Sequence, residues 1–244
     1  MARVLITGAS SGFGEALAIE FENSGHNVIA CGRNQEKLNE LASQYAMDIR
    51  IFDQNNGKET ELALRDASAD IYILNAGTCE YVDAQNIESE LFERVFTTNV
   101  FGNVKVLRAI LPQCKPGVQI IFVDSLARLL PFTRSQAYGA SKAALHYLAK
   151  SFAVDLAKKN IRVKTLSPGF IKTPLTDKND FDMPMCISAS EAAKYAYKGI
   201  FSGKSSIYFP FRFSLFLRVL GLLPEYFQHK ICLNMLGNNT GSKK

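Results

Sequence analysis

The sequence predicts one doubly wound α/β domain, a parallel sheet covered by helices on both faces. Short apolar runs alternate with longer stretches of helical periodicity almost from end to end of the 244 residues. That alternation is the pattern of parallel strands joined by right-handed helical crossovers. Several of the apolar runs are continuous rather than alternating, as strands covered on both faces require. No internal repeat, low-complexity tract or long linker divides the sequence, and 47% hydrophobic content suffices for one substantial core.

The first strand is expected at 4–6. It runs into Thr7-Gly-Ala-Ser-Ser-Gly-Phe-Gly14, which opens a helix over 12–23. Glycines at 8, 12 and 14 let the backbone turn tightly and approach a pyrophosphate, whose charge a helix N-terminus favours. The spacing is Gly-x-x-x-Gly-x-Gly rather than the common Gly-x-Gly-x-x-Gly fingerprint. Its place after the first strand of an alternating chain favours a dinucleotide cradle over a bare strand–helix corner. Gly8, Ser10, Ser11, Gly12, Phe13 and Gly14 are its candidate contacts.

The second strand, 27–31, ends in Cys31-Gly32-Arg33-Asn34. An enzyme that selects NAD usually carries an acid here for the ribose 2′-hydroxyl. A cation stands in its place, so Arg33 points to the 2′-phosphate of NADP. The competing reading is a solvated Arg beside Asn34, a helix N-cap. A helix over 35–45 leads to a third strand at 48–51, followed by Asp53, placed to bond the adenine amine. The brief Gln54-Asn-Asn-Gly57 predicts a short third crossover helix, 58–65. After the fourth strand, 71–74, Asn75-Ala76-Gly77 allows close backbone approach to the adenosine side.

A long helix is expected over 89–111, a fifth strand at 119–123 and a second long helix over 136–159. Asp124 and Ser125 end that strand. Asp124 reads first as a surface acid and second as a modulator of nearby pKa values. Tyr138-Gly-Ala-Ser-Lys142 lies thirteen residues beyond Ser125. A Tyr and a Lys four apart on a helix share one face, so the ammonium is expected to lower the phenol pKa from its usual value of about 10. In isolation such a pair is common helix decoration. The sixth strand, 162–166, precedes Pro168, Gly169, Ile171 and Thr173, then a loop over 174–189, a helix over 190–201 and a seventh strand at 206–209. Gly199 to Ser205 has three residues between its glycines and precedes a strand, so it reads as a helix end rather than a nucleotide-binding P-loop.

Assembled, these residues resemble the classical short-chain dehydrogenase/reductase family over roughly residues 3–208. The matching motifs are Thr7-Gly8-x-x-x-Gly12-x-Gly14, Asn75-Ala-Gly77, Asn99-Val-Phe-Gly102, Ser125, Tyr138-x-x-x-Lys142 and Pro168-Gly169 with Thr173. Any one is weak; six in order are very hard to obtain by chance. The resemblance implies a Rossmann-type three-layer fold and hydride transfer between NADP(H) and a carbonyl or alcohol. It implies Tyr138 as general acid/base, Ser125 as the donor holding the substrate oxygen, and Lys142 as the residue that bonds the nicotinamide ribose and tunes Tyr138. Asn99 would support a proton relay through the Lys and ordered water. Pro168, Gly169, Ile171 and Thr173 would shape the nicotinamide end. The other function class is an NADP-binding regulator or scaffold with little turnover; the intact set of Asn99, Ser125, Tyr138 and Lys142 argues against it.

Substrate choice is expected in the 174–189 loop, whose Phe181, Met183, Pro184 and Met185 are apolar and adaptable. Leu126, Leu129, Leu130 and Phe132 would line the opposite wall, favouring a lipophilic carbonyl compound. Arg128 and Arg134 keep an anionic substrate open. Residues 1–209 read as the catalytic domain and 210–244 as a hydrophobic extension. Its stretch from Phe209 to Phe227 is rich in aromatics and Leu but interrupted by Arg212, Arg218, Pro224 and Glu225, too short to span a bilayer. It packs on the domain or a subunit interface, covers the pocket, or makes peripheral membrane contact through 210–230.

Three separated histidines give no metal signature, and a net charge of +5 without a basic stripe does not indicate nucleic acid. Five scattered cysteines and a start that leaves no room for a signal peptide predict a cytoplasmic protein. The family commonly forms dimers or tetramers, here through the helices expected at 89–111 and 136–159.

Overall fold

A computed structural model describes residues 1–177 and 183–239. Its strands are β1 (Arg3–Thr7), β2 (Asn27–Gly32), β3 (Asp48–Ile51), β4 (Ile71–Leu74), β5 (Gln119–Val123), β6 (Arg162–Pro168), β7 (Ile171–Lys172), β8 (Ile187–Ser188) and β9 (Ser206–Phe209). Seven of them form one parallel sheet in the order β3-β2-β1-β4-β5-β6-β9, while β7 and β8 pair separately. All seven expected strands are present. The β7–β8 pair was not expected, because two-residue strands carry no periodicity to read.

Parallel pairing sets Val4 beside Val28 on one side and Ile71 on the other. Successive side chains then point to opposite faces. Val4, Ile6, Ile71 and Ile73 enter one core with Leu17 and Phe21, whereas Leu5, Tyr72 and Leu74 enter the other with Leu107 and Leu145. Two cores, one on each face, account for the continuously apolar strands.

The helices are α1 (Gly12–Asn23), α2 (Gln35–Gln44), α3 (Gly57–Leu64), α4 (Ser89–Phe96), α5 (Asn103–Ile110), α6 (Gln136–Ala157), α7 (Ala189–Ile200), α8 (Phe211–Leu220) and α9 (Glu225–Asn239). Asn34 caps α2 by accepting from the Lys37 amide, and Asn56 caps the short α3 in the same way. The expected single helix over 89–111 is interrupted by a π-helical turn, Thr97–Gly102. Two contacts explain it. Asn99 turns fully inward, and Gly102 lies so close to Gln54 that an added Cβ would sit 2.8 Å from its Nε2. A widened turn lets both meet the sheet end without breaking the helix axis.

The C-terminal segment forms two helices. Phe213 and Leu217 on α8 pack against Leu126 and Leu130, which follow β5. The residues of α9 through 235 are exposed or half-buried.

Candidate active site

The strand order reverses between β1 and β4, and in such a sheet the crevice beyond the strand ends at that switch point receives ligands. Gly8, Gly12, Asn75 and Gly77 stand there. Gly8 and Gly12 have φ of +70° and +59°, a region glycine enters without strain. A Cβ on Gly14 would lie 2.1 Å from the Gly8 carbonyl oxygen, so the third glycine serves loop packing. Phe13 is buried, its ring 6.1 Å from that of Phe209; its side chain belongs to the core.

Thr7, absent from the expected contacts, organises this end of the sheet. Its buried hydroxyl accepts the amides of Asn75 and Ala76, both at 3.0 Å, and its carbonyl accepts Asn75 Nδ2 at 3.0 Å. Asn75 therefore ties β4 to β1. Gln54 and Asn103 were also missed: each donates to the Ala76 carbonyl, at 3.4 Å, and Asn103 donates to the Asn99 carbonyl at 2.8 Å.

At the outer end of the crevice the Arg33 guanidinium is 72% exposed and 3.6 Å from Asp53. Asp53 also accepts the Asn55 amide. Ser10 lies beside Gly32, where a Cβ would come within 3.2 Å of its hydroxyl. Ser11 begins α1 without a side-chain cap, which leaves the first amides of that helix free of a side-chain acceptor. Positive-φ glycines, an uncapped helix start and an exposed guanidinium suit the pyrophosphate and phosphorylated ribose of a dinucleotide. The chain fits that group.

At the inner end four side chains converge. Ser125 acts on the Tyr138 phenol, favouring its ionised form, and its hydroxyl accepts the Ala127 amide at 3.1 Å. The ammonium of Lys142 lies 5.7 Å from the Tyr138 ring centroid and donates to the Val123 carbonyl at 2.9 Å. Asn99 is fully buried, accepting the Thr78 amide at 2.7 Å while donating to the Thr78 carbonyl and Ser141. Gly77 fits between them; a Cβ there would lie 3.0 Å from Asn99 Oδ1 and 3.3 Å from Lys142 Nζ.

The electrostatics depart from expectation. Burial pushes the Tyr138 phenol well above its ordinary range, with the Ser125 bond opposing that rise. Burial also pulls the Lys142 ammonium down to about 8, with Asp124 resisting. The side chains as they stand thus keep Tyr138 protonated.

Two further expectations are corrected. Asp124 is not a surface acid. Its side chain is fully buried, its Oδ2 receiving Arg128 Nε at 2.9 Å and His146 Nδ1–H at 2.5 Å. A carboxylate beyond a strand end is tolerated inside when donors from the turn after β5 and from α6 both meet it. Arg128 is consequently engaged by Asp124. Leu126 and Leu130 are buried under α8 rather than open to the crevice.

Pro168 and Gly169 lie at the end of β6, where a Cβ on Gly169 would strike the Phe213 ring at 2.8 Å. Ile171 is buried in β7. Thr173 stands over the glycine loop, its Cβ 3.2 Å from where a Gly12 Cβ would be. Pro184 and Met185 are exposed; Phe181 lies outside the described residues.

Residues 2–183 match the model of the short chain dehydrogenase family. The chain is 32% identical over 234 residues to an uncharacterised oxidoreductase of Myxococcus xanthus, covering 91% of this chain and 92% of that one. It is 34% identical over 178 residues to the NADP-dependent 3-hydroxy acid dehydrogenase YdfG of Escherichia coli, covering 69% and 72%. Among solved structures, serine dehydrogenase from Escherichia coli superposes with a TM-score of 0.74 at 27% identity, covering 84% of this chain and 96% of that one. A short-chain dehydrogenase from Streptomyces avermitilis shares the fold over 99% and 98% of the two chains, TM-score 0.80 at 22% identity. The chain belongs to the short-chain dehydrogenase/reductase family and is an NAD(P)-dependent oxidoreductase.

Proposed function

We propose that the protein uses NADP(H) to interconvert a lipophilic ketone or aldehyde and its alcohol, with Tyr138 as the general acid/base. The observation that carries this reading is the convergence of Ser125 and the Lys142 ammonium on the half-buried Tyr138. When bound, the cofactor supplies or accepts the hydride. Tyr138 gives its proton to the carbonyl oxygen as negative charge builds there, and Ser125 donates to the same oxygen. Lys142 places positive charge next to the phenolate left behind. Asn99 holds the segment after β4 against α6, where its amide meets Ser141 one residue before Lys142.

Gly8, Ser10, Ser11, Gly12 and the Asn75–Ala76–Gly77 backbone would hold the pyrophosphate and adenosine, and Pro168, Gly169, Ile171 and Thr173 the nicotinamide end. The NADP preference rests on Arg33, on the lack of a carboxylate at the end of β2, and on relatives described as NADP-dependent or bound to NADP+. An apolar substrate is supported by Leu129 and Phe132 after Ser125, which stay half-buried where Leu126 and Leu130 are covered by α8. Residues 1–209 serve as the catalytic domain and 210–244 as an extension docked through Phe213 and Leu217. Exposed Val104 on α5 and Tyr147 and Val154 on α6 support a homo-oligomer, and five free cysteines a cytoplasmic setting.

The test is NADPH oxidation over a panel of lipophilic ketones and aldehydes, with Tyr138→Phe beside the wild type. Turnover that collapses in the variant while NADPH still binds supports the reading. Turnover that survives the loss of the hydroxyl removes Tyr138 from its role.

A further inference from the structure

We infer that α8, α9 and the turn between them form a surface that lies on an anionic phospholipid bilayer. Helix α8 is apolar on two opposite sides. Its inner side, Phe213 and Leu217, is buried against the body. Phe211, Leu215 and Val219, at spacings of four, form a second stripe facing outward, with Phe211 71% exposed. A helix on a water-facing surface is polar on that side, and one apolar on both sides is covered on both.

The tip points the same way. The chain turns between the helices through Gly221-Leu222-Leu223-Pro224, and Leu222 is 85% exposed. Turns that face water are built from Gly, Asn, Asp and Ser. Two leucines at a protruding tip suit insertion among acyl chains. Tyr226 and Phe227 follow directly, both exposed, and aromatic rings favour the headgroup boundary.

Charge selects the occupant. Over residues 211–235 Arg212, Arg218 and Lys230, all exposed, face only one carboxylate, Glu225. A second copy docked across a two-fold axis would bring the same cationic patch against itself. An anionic leaflet complements it, each cation adding attraction at the surface. Among the described residues no helix is long and apolar enough to cross a membrane, so the helices lie on the bilayer. The inner side of α8 touches Leu126, the residue after Ser125. On the reading that the substrate is a lipophilic carbonyl compound, this seat brings the site within one helix thickness of a bilayer that dissolves it.

The test is flotation of the full-length protein with vesicles of equal parts phosphatidylglycerol and phosphatidylcholine, and with pure phosphatidylcholine vesicles. The double variant Phe211→Glu/Leu222→Glu, changed only at exposed positions, runs alongside with sedimentation to read its mass. Wild type should float with the anionic vesicles and lose most binding in high salt, and the double variant should bind roughly tenfold less or weaker at unchanged mass. Three results would overturn the inference: no flotation, flotation indifferent to lipid charge or to the double substitution, or a fall in mass on substitution, which would make the surface a contact between copies. Flotation needs no turnover, so its failure is separable from failure of the oxidoreductase reading.

Discussion

The ammonium of Lys142 donates to the main-chain carbonyl of Val123 across 2.9 Å, fastening α6 to the last residue of β5. Ser125 follows two residues after that carbonyl and Tyr138 precedes Lys142 by one helical turn, so one bond fixes the frame in which both hydroxyls meet. The bond forms in a buried place, and burying a charged amine is costly.

That cost makes the first prediction. Burial lowers the Lys142 pKa from 10.5 to about 8. Below about 8 both folded and unfolded chains hold the proton, and the folded state carries the full penalty. Between about 8 and 10.5 only the unfolded chain keeps it, so this site makes stability rise with pH across that window. Lys142→Met should therefore be about 1–3 kcal/mol more stable at neutral pH, after loss of the Val123 bond, and lack the alkaline rise. Activity should fall by roughly a hundredfold or more. Thermal melts against pH decide it; a variant that melts below the wild type at neutral pH contradicts the assignment.

The raised phenol pKa of Tyr138 sets the direction of its pH dependence. Burial is the main cause, with Cys79, Asp124 and Tyr81 pushing the same way. A phenol that stays protonated is a ready acid, so carbonyl reduction should be flat with pH until Lys142 loses its proton near about 8. Alcohol oxidation needs the phenolate and should climb with pH, by up to about tenfold per unit. Paired rate profiles with NADPH and NADP+ measure this. An oxidation rate that levels off near neutrality would show a phenol far more acidic than its burial implies.

Asp124 carries the third prediction. Asp124→Asn leaves Arg128, only 11% exposed, and His146 without their carboxylate, a loss of about 3–5 kcal/mol by denaturant titration. His146→Ala, which preserves the Asp124–Arg128 pair, should cost roughly 1–2 kcal/mol. Asp124 also disfavours the phenolate of Tyr138, so its removal should shift the oxidation profile toward lower pH. A profile that stays put while stability falls would confine Asp124 to holding the turn after β5.

Much of this molecule is legible in its sequence because local rules decide it. The seven strands follow from continuous apolar runs, and the Asn34 cap from residue type and place. The Tyr138–Lys142 spacing puts both on one side of α6, facing Ser125. What escapes depends on partners far along the chain. The π-helical turn at Thr97–Gly102 answers to Gln54, some fifty residues earlier. Asp124 reads as a surface acid until α6 brings His146 against it. Thr7 opens the glycine motif in the sequence, but its role in holding β4 shows only when the Asn75 and Ala76 amides reach its hydroxyl. Asn103 alone carried a local sign, standing one helical turn after Asn99 on the same side.

Arg33 supplies the last prediction, on cofactor choice. Its guanidinium is mostly exposed at the end of β2 and only loosely paired, 3.6 Å from Asp53, so it is oriented but open to a further anion. A phosphate there would gain charge-assisted, two-pronged bonds that a ribose hydroxyl cannot match. Arg33→Ala should raise the KM for NADPH by roughly 10- to 100-fold and leave that for NADH within about twofold. Arg33→Asp sets a carboxylate beside Asp53, repelling the 2′-phosphate while accepting a 2′-hydroxyl, and should push the preference further toward NADH. Initial rates with both nucleotides for the three proteins give the ratio directly. Equal losses for NADPH and NADH would mean that Arg33 supports the loop rather than reads the phosphate, and the NADP assignment would lose its main residue.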